Sequence, residues 1–101
     1  MAKDKISIVA DIESYVGRNG NTYSQWYVGI ASDARQRLFN DHAVKEKGDA
    51  WIYIPCGTSG VARAVERYFL SQGMEGGIGG GDDSSDHVYA YKIGSHTVEQ
   101  N

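Results

Sequence analysis

The stretch Tyr27-Val28-Gly29-Ile30-Ala31-Ser32-Asp33-Ala34-Arg35-Gln36-Arg37-Leu38-Phe39-Asn40-Asp41-His42 decides how the rest of the chain is read. Its first part continues a β-branched and aromatic run from Thr22 to Ile30, which has the composition of a strand. The run stops at Gly29-Ile30-Ala31, where Ser32 and Asp33 offer a helix N-cap and an acid for the first turn. A helix is therefore expected from Asp33 to about Val44, with Lys45-Glu46-Lys47-Gly48-Asp49 ending it.

Upstream, Ile6-Ser7-Ile8-Val9-Ala10-Asp11-Ile12 alternates and is β-branched, and Gly17-Arg18-Asn19-Gly20-Asn21 separates it from the Thr22–Ile30 run. Two strand-like runs about one Asn-Gly turn predict a β-hairpin. If Asn19-Gly20 is a two-residue turn, Ile12 faces Tyr27 and Tyr15 lies on the opposite sheet face. If the loop is Arg18-Asn19-Gly20 with a glycine bulge, Asp11 faces Tyr27 and Tyr15 shares its face; this second register is adopted.

Downstream, Ala50 to Ile54 reads as a short third strand closed by Pro55 and Gly57. Thr58 or Ser59 can cap a second helix, in which Val61, Val65, Tyr68 and Phe69 recur at i, i+4, i+7 and i+8 before Gly73 stops it. Gly73 to Gly81, six glycines in nine residues, and Asp82-Asp83-Ser84-Ser85-Asp86 predict a loop. No Gly-Lys-Ser/Thr follows these glycines and no strand immediately precedes them, so they form neither a P-loop nor a dinucleotide fingerprint. The acids of that loop lack the spacing of an EF-hand. Val88 to Ile93 is a strand, and a loose tail is expected from about Gly94. The order β-β-α-β-α-β predicts a single α+β domain over residues 1–101, a small antiparallel sheet that starts as a hairpin and is flanked by helices.

Composition bounds the function. In 101 residues there is room for one core. The longest apolar run, Ala50 to Ile54, has five residues, where a membrane span needs about 20. No export signal is recognisable, and the single cysteine, Cys56, excludes an intramolecular disulfide or a cysteine-rich zinc site, so a reducing cytoplasm is the default compartment. The formal net charge is −3: residues 1–50 balance seven bases with seven acids, and residues 51–101 set three bases against six acids. Any nucleic-acid contact must come from a local basic face.

Tyr27-Val28-Gly29, the capped turn after it, Arg37 ten residues beyond Tyr27, and Glu66 in Ala62-Arg63-Ala64-Val65-Glu66-Arg67-Tyr68-Phe69-Leu70 resemble the GIY-YIG endonuclease superfamily. The resemblance covers roughly residues 6–93. It implies hydrolysis of DNA phosphodiester bonds with one divalent ion, Mg²⁺ or Mn²⁺, and DNA as partner. By the same resemblance Glu66 would hold the metal, Arg37 would fork onto the phosphate, Tyr27 or Tyr15 would orient or deprotonate the water, and His42 could assist the leaving group. The chain departs from the family pattern at the first motif, where Glu13-Ser14-Tyr15 keeps only the tyrosine, and at the position four residues after the arginine, where Asp41 stands with His42 one place late.

Each of these residues also has a plain structural reading. Tyr27 can be a cross-strand aromatic, Arg37 can pair with Asp33 or Asp41, Glu66 can pair with Arg63 or Arg67 on an exposed helix face, and His42 can be a surface residue near the helix end. The alternative function is accordingly a catalytically degenerate module of the same fold that binds DNA or a protein partner. A stand-alone enzyme of this size would need a protein partner or a second copy of itself to choose its site.

Overall fold

The computed structural model describes residues 4–20, 22–76 and 84–98. Its elements are α1 (Lys5–Arg18), a 3₁₀ turn over Tyr23–Gln25 where the strand was expected to begin, β1 (Trp26–Ala31), α2 (Ala34–Gln36) continuing into a wider turn over Arg37–Asp41, β2 (Trp51–Pro55), α3 (Ser59–Ser71) and β3 (His87–Lys92). The class is α+β, as expected, with a three-stranded antiparallel sheet in the order β1-β3-β2. The chain order is α-β-α-β-α-β, and here it departs from the sequence reading.

The expected first strand is a helix. Asp4 caps α1 by accepting the Ser7 N–H at 2.8 Å. Ile8, Ile12 and Val16, four residues apart, form its buried stripe, while Ile6, which a strand reading aligns with Ile8, is 81% exposed. The β-branched run thus mimics alternation, but the four-residue period extends through Val16 and wins. With no hairpin at Asn19-Gly20, neither register proposed for Tyr15 forms.

Alternation sorts the sheet into two faces. Trp26, Val28, Ile30, Ile52, Ile54, Val88 and Ala90 meet α1 and α3, packing against Ile8, Ile12, Val16, Val65 and Phe69. Tyr27, Ala31, Trp51, Tyr53, Tyr89 and Tyr91 lie on the other face beside Ala34, Leu38, Phe39 and Val44. β3 runs between the other two strands, with Tyr27 opposite Tyr91, Gly29 opposite Tyr89, and Tyr53 opposite Tyr89 on the far side.

The later elements follow the sequence closely. Thr58 caps α3, accepting the Val61 N–H at 3.2 Å, and Ala62, Val65, Glu66 and Phe69 form its buried face. Gly73 adopts φ +114 after α3. Glu75 then pairs with the free edge of β1, donating to Trp26 C=O at 2.8 Å and accepting from Val28 N–H at 2.9 Å. Most of the expected glycine and aspartate loop, residues 77–83, lies outside the described residues.

The segment expected to be a loose tail is held. Ile93 N–H donates to Gln25 C=O at 2.7 Å, and Val98 N–H donates to His42 C=O at 2.8 Å. Among the described residues no helix is long and apolar enough to cross a membrane.

Candidate functional site

Arg37 and His42 come from the same short segment. On an α-helix, residues five apart diverge by about 140°. Here Asp33 caps the segment through the Gln36 N–H at 3.1 Å, and after one α-helical turn the chain widens: His42 N–H donates to Arg37 C=O, five residues back, at 2.9 Å. The extra residue in this π-type turn brings both side chains over the tyrosine face of the sheet. Ala43 then leaves the helical path at φ 58, which for a non-glycine residue costs about 1–2 kcal/mol.

Tyr89 is the centre of the site. Its ring lies over Gly29, its partner on β1, occupying the space a β-carbon there would fill. Arg37 donates a hydrogen bond to the Tyr89 oxygen, which raises the guanidinium pKa further above its ordinary value. His42 Nε2 stands 2.9 Å from the same oxygen, and His42 Nδ1 stands 2.6 Å from Val98 C=O. Burial pushes the Tyr89 phenol up to about 12 despite Arg37, and the Tyr27 hydroxyl and the Glu66 carboxylate act in the same direction as burial. Tyr27 stacks on Tyr91 at 5.3 Å between ring centres and tilts against the His42 ring at 4.7 Å.

Two charged groups here sit in buried surroundings. Glu66 occupies the buried stripe of α3, is 3% exposed, and makes no hydrogen bond or ion pair with a described residue. Desolvation raises its pKa, opposed by the charges of Arg63 and Arg67. It does not sit on the exposed face that an Arg63 or Arg67 ion pair would require. Arg37 Nε–H, also buried, has no acceptor among the described residues. The rest of the guanidinium pairs with Asp41 at 3.2 Å, where the two side chains are 39% and 32% exposed and form the open side of the cluster.

The structure therefore brings Tyr27, Arg37, His42 and Tyr89 together, whereas Glu66 belongs to the α3 stripe that packs on the opposite face of the sheet and acts on Tyr89 through its charge alone. It does not bring Tyr15 to them. Tyr15, on α1, accepts the Trp51 N–H at 3.0 Å and meets Trp26 edge-on at 5.9 Å, a packing role on the opposite face. Sequence reasoning missed Tyr89. The available signal was the alternation of Tyr89 and Tyr91 along a strand already foreseen. Among the described residues no three His, Cys, Asp or Glu side chains gather into a metal-ligating group.

No protein-family model matches the chain, and comparisons with curated proteins and with solved structures return no match.

Proposed function

We propose that the protein is a nuclease that hydrolyses DNA phosphodiester bonds with one divalent cation, on the GIY-YIG plan with its strands in permuted chain order. The observation that carries this reading is Glu66, a buried carboxylate without hydrogen bond or ion pair among the described residues, within electrostatic reach of a tyrosine that Arg37 and His42 both contact. A purely structural core gains nothing from a desolvated carboxylate.

Two departures from the family pattern have a geometric reading in support. The Gly-Ile-Tyr tyrosine belongs on the strand that pairs antiparallel with Tyr27-Val28-Gly29. That neighbour is β3, so the role expected of Tyr15 passes to Tyr89. His42 stands one residue later than the family histidine, and the π-type turn takes up that one residue.

The residues present fit a hard cation that keeps most of its waters, since one carboxylate is a sufficient anchor when a phosphate supplies further oxygens. Glu66 would hold it, and when bound it would neutralise charge developing on phosphorus. Arg37, displaced from Asp41 by the substrate, forks onto a phosphate oxygen, and its Nε–H gains an acceptor. A phenol titrating near about 12 is a poor base by itself, but Tyr89 need never become a free phenolate. As water attacks phosphorus, its proton passes to the Tyr89 oxygen and the Tyr89 proton passes to His42 Nε2, while the bridging P–O bond breaks and the departing sugar oxygen takes up a proton from solvent. Tyr27, stacked on Tyr91 and tilted against His42, fills the wall of the site.

The alternative reading, a module of this fold that binds DNA or a protein without cutting, is favoured by the near-complete burial of Tyr89 and His42. One experiment separates the two: supercoiled, linear, branched and single-stranded DNA are incubated with wild type and Glu66→Ala in Mg²⁺, in Mn²⁺ and in chelator. Metal-dependent nicking that Glu66→Ala abolishes supports the nuclease. Absence of cleavage by folded wild type on every substrate overturns it.

A further inference from the structure

His42 is the only buried histidine of the three in the chain, and both of its ring nitrogens are engaged. On one side is Tyr89, a hydroxyl able to donate or accept. On the other are a backbone carbonyl, that of Val98, which accepts only, and, farther off at 3.1 Å, the Tyr91 hydroxyl. At 2.6 Å from that oxygen, Nδ1 must carry a proton, because an unprotonated Nδ1 would set two lone pairs against each other. Neutral His42 is then the Nδ1–H tautomer, with Nε2 bare and facing the Tyr89 hydroxyl at 2.9 Å. The polar chain acquires a direction: Arg37 N–H donates to the Tyr89 oxygen, Tyr89 O–H donates to His42 Nε2, and His42 Nδ1–H donates to Val98 C=O. Tyr91 O–H donates more weakly to the same carbonyl, at 3.4 Å.

The carbonyl that imposes this direction belongs to a built segment. Gly94 N–H donates to Thr97 Oγ1 at 3.0 Å, Thr97 N–H and Oγ1–H both donate to Gly94 C=O, at 3.2 Å and 2.9 Å, and the turn is thereby closed. His96 folds back over Gly94 and pairs with Asp49, whose carboxylate also accepts the Lys45 N–H at 2.8 Å. Val98 N–H donates to His42 C=O at 2.8 Å, so that Val98 brackets His42 with both of its backbone groups. Val98 itself is 46% exposed, so its side chain contributes little packing.

We propose that residues 94–98 are a positioning strap, fastened to the 45–49 loop through His96 and Asp49, whose Val98 carbonyl holds His42 in the Nδ1–H tautomer and so keeps Nε2 as the proton acceptor for Tyr89. That the accepted proton serves hydrolysis rests on the nuclease reading; the tautomer and its cause do not. A tautomer-holding partner has large catalytic leverage, since the carboxylate that holds the catalytic histidine of a serine protease is worth about 10⁴ in rate.

The test is the ring-nitrogen spectrum of ¹⁵N-histidine-labelled full-length protein near neutral pH, for wild type, His96→Ala and Thr97→Ala, with His42 assigned by its absence in His42→Gln. Wild type is expected to show His42 as the Nδ1–H form alone. Both strap variants are expected to show a mixture with the Nε2–H form while the far-ultraviolet circular dichroism stays unchanged. Wild-type His42 in the Nε2–H form, or a spectrum that neither variant alters, overturns the proposal. DNA cleavage by the same proteins reads the catalytic consequence, an expected loss of about tenfold or more. Absence of cleavage by wild type would sink the nuclease reading and leave the tautomer result standing.

Discussion

Tyr89 lies across Gly29, with its ring and hydroxyl in the space a β-carbon on Gly29 would occupy. The glycine of Tyr27-Val28-Gly29 is therefore the floor under the tyrosine of a strand that arrives much later in the chain. Gly29→Ala should push the phenol off Arg37 and His42 at a cost of about 1–3 kcal/mol. Urea unfolding of Gly29→Ala, Tyr89→Ala and the double variant checks this. The alanine penalty at position 29 should largely vanish once the Tyr89 ring is gone.

Tyr89→Phe keeps the ring and removes the shared oxygen, leaving His42 Nε2 and an Arg37 N–H without their partner. The expected stability loss is about 1–3 kcal/mol at neutral pH, and cleavage should fall to background. Because the folded phenol titrates near about 12 and a free one near 10, the stability Tyr89 confers is fully present below pH 10 and is lost as pH rises through 12. A melting temperature followed between pH 9 and 12 should fall more steeply for wild type than for Tyr89→Phe.

Glu66→Gln should separate stability from activity. Burial raises the folded Glu66 pKa above its ordinary 4.5, so the folded state holds the proton more tightly than the unfolded chain does. Stability linked to this group is complete below pH 4.5 and declines as pH rises through the raised value. At neutral pH the glutamine variant should accordingly be more stable, by about 1 kcal/mol or several degrees in Tm, and inactive. Thermal melts at pH 4 and pH 7 check the sign: the advantage should shrink at pH 4.

Tyr15→Phe removes the acceptor of the Trp51 N–H on β2. A destabilisation of about 1–2 kcal/mol is expected with unchanged cleavage. Loss of cleavage at unchanged stability would return Tyr15 to the site and contradict the helical assignment of α1.

The sheet-to-helix passage around Ala31 to Ala34 and the α3 stripe were legible because local rules decide them: a cap, an acid, a periodic apolar face. Tyr27, Arg37, His42 and Glu66 were reached by a different route, the resemblance to the GIY-YIG superfamily. The first element was not legible, because Ile6, Ile8, Val9 and Ile12 satisfy a two-residue and a four-residue period together, and only the burial of Val16 breaks the tie. Tyr89 was out of reach for a different reason. Its partners, Gly29, Arg37 and His42, are set by strand pairing across the whole chain, and no local spacing encodes which strand lies between which. The π-type turn that lets Arg37 and His42 converge likewise has no simple residue signature.

The middle position of β3 has a kinetic consequence. Among the described strands β1 and β2 each pair with β3, the last in chain order, so during synthesis two edges wait for a strand still to be made. Until it inserts there is no sheet, and α1 and α3 have only part of their packing surface. A chain released before residue 92 holds Tyr27, Arg37, His42 and Glu66 but no scaffold to gather them, and its unpaired strand edges invite association with other chains.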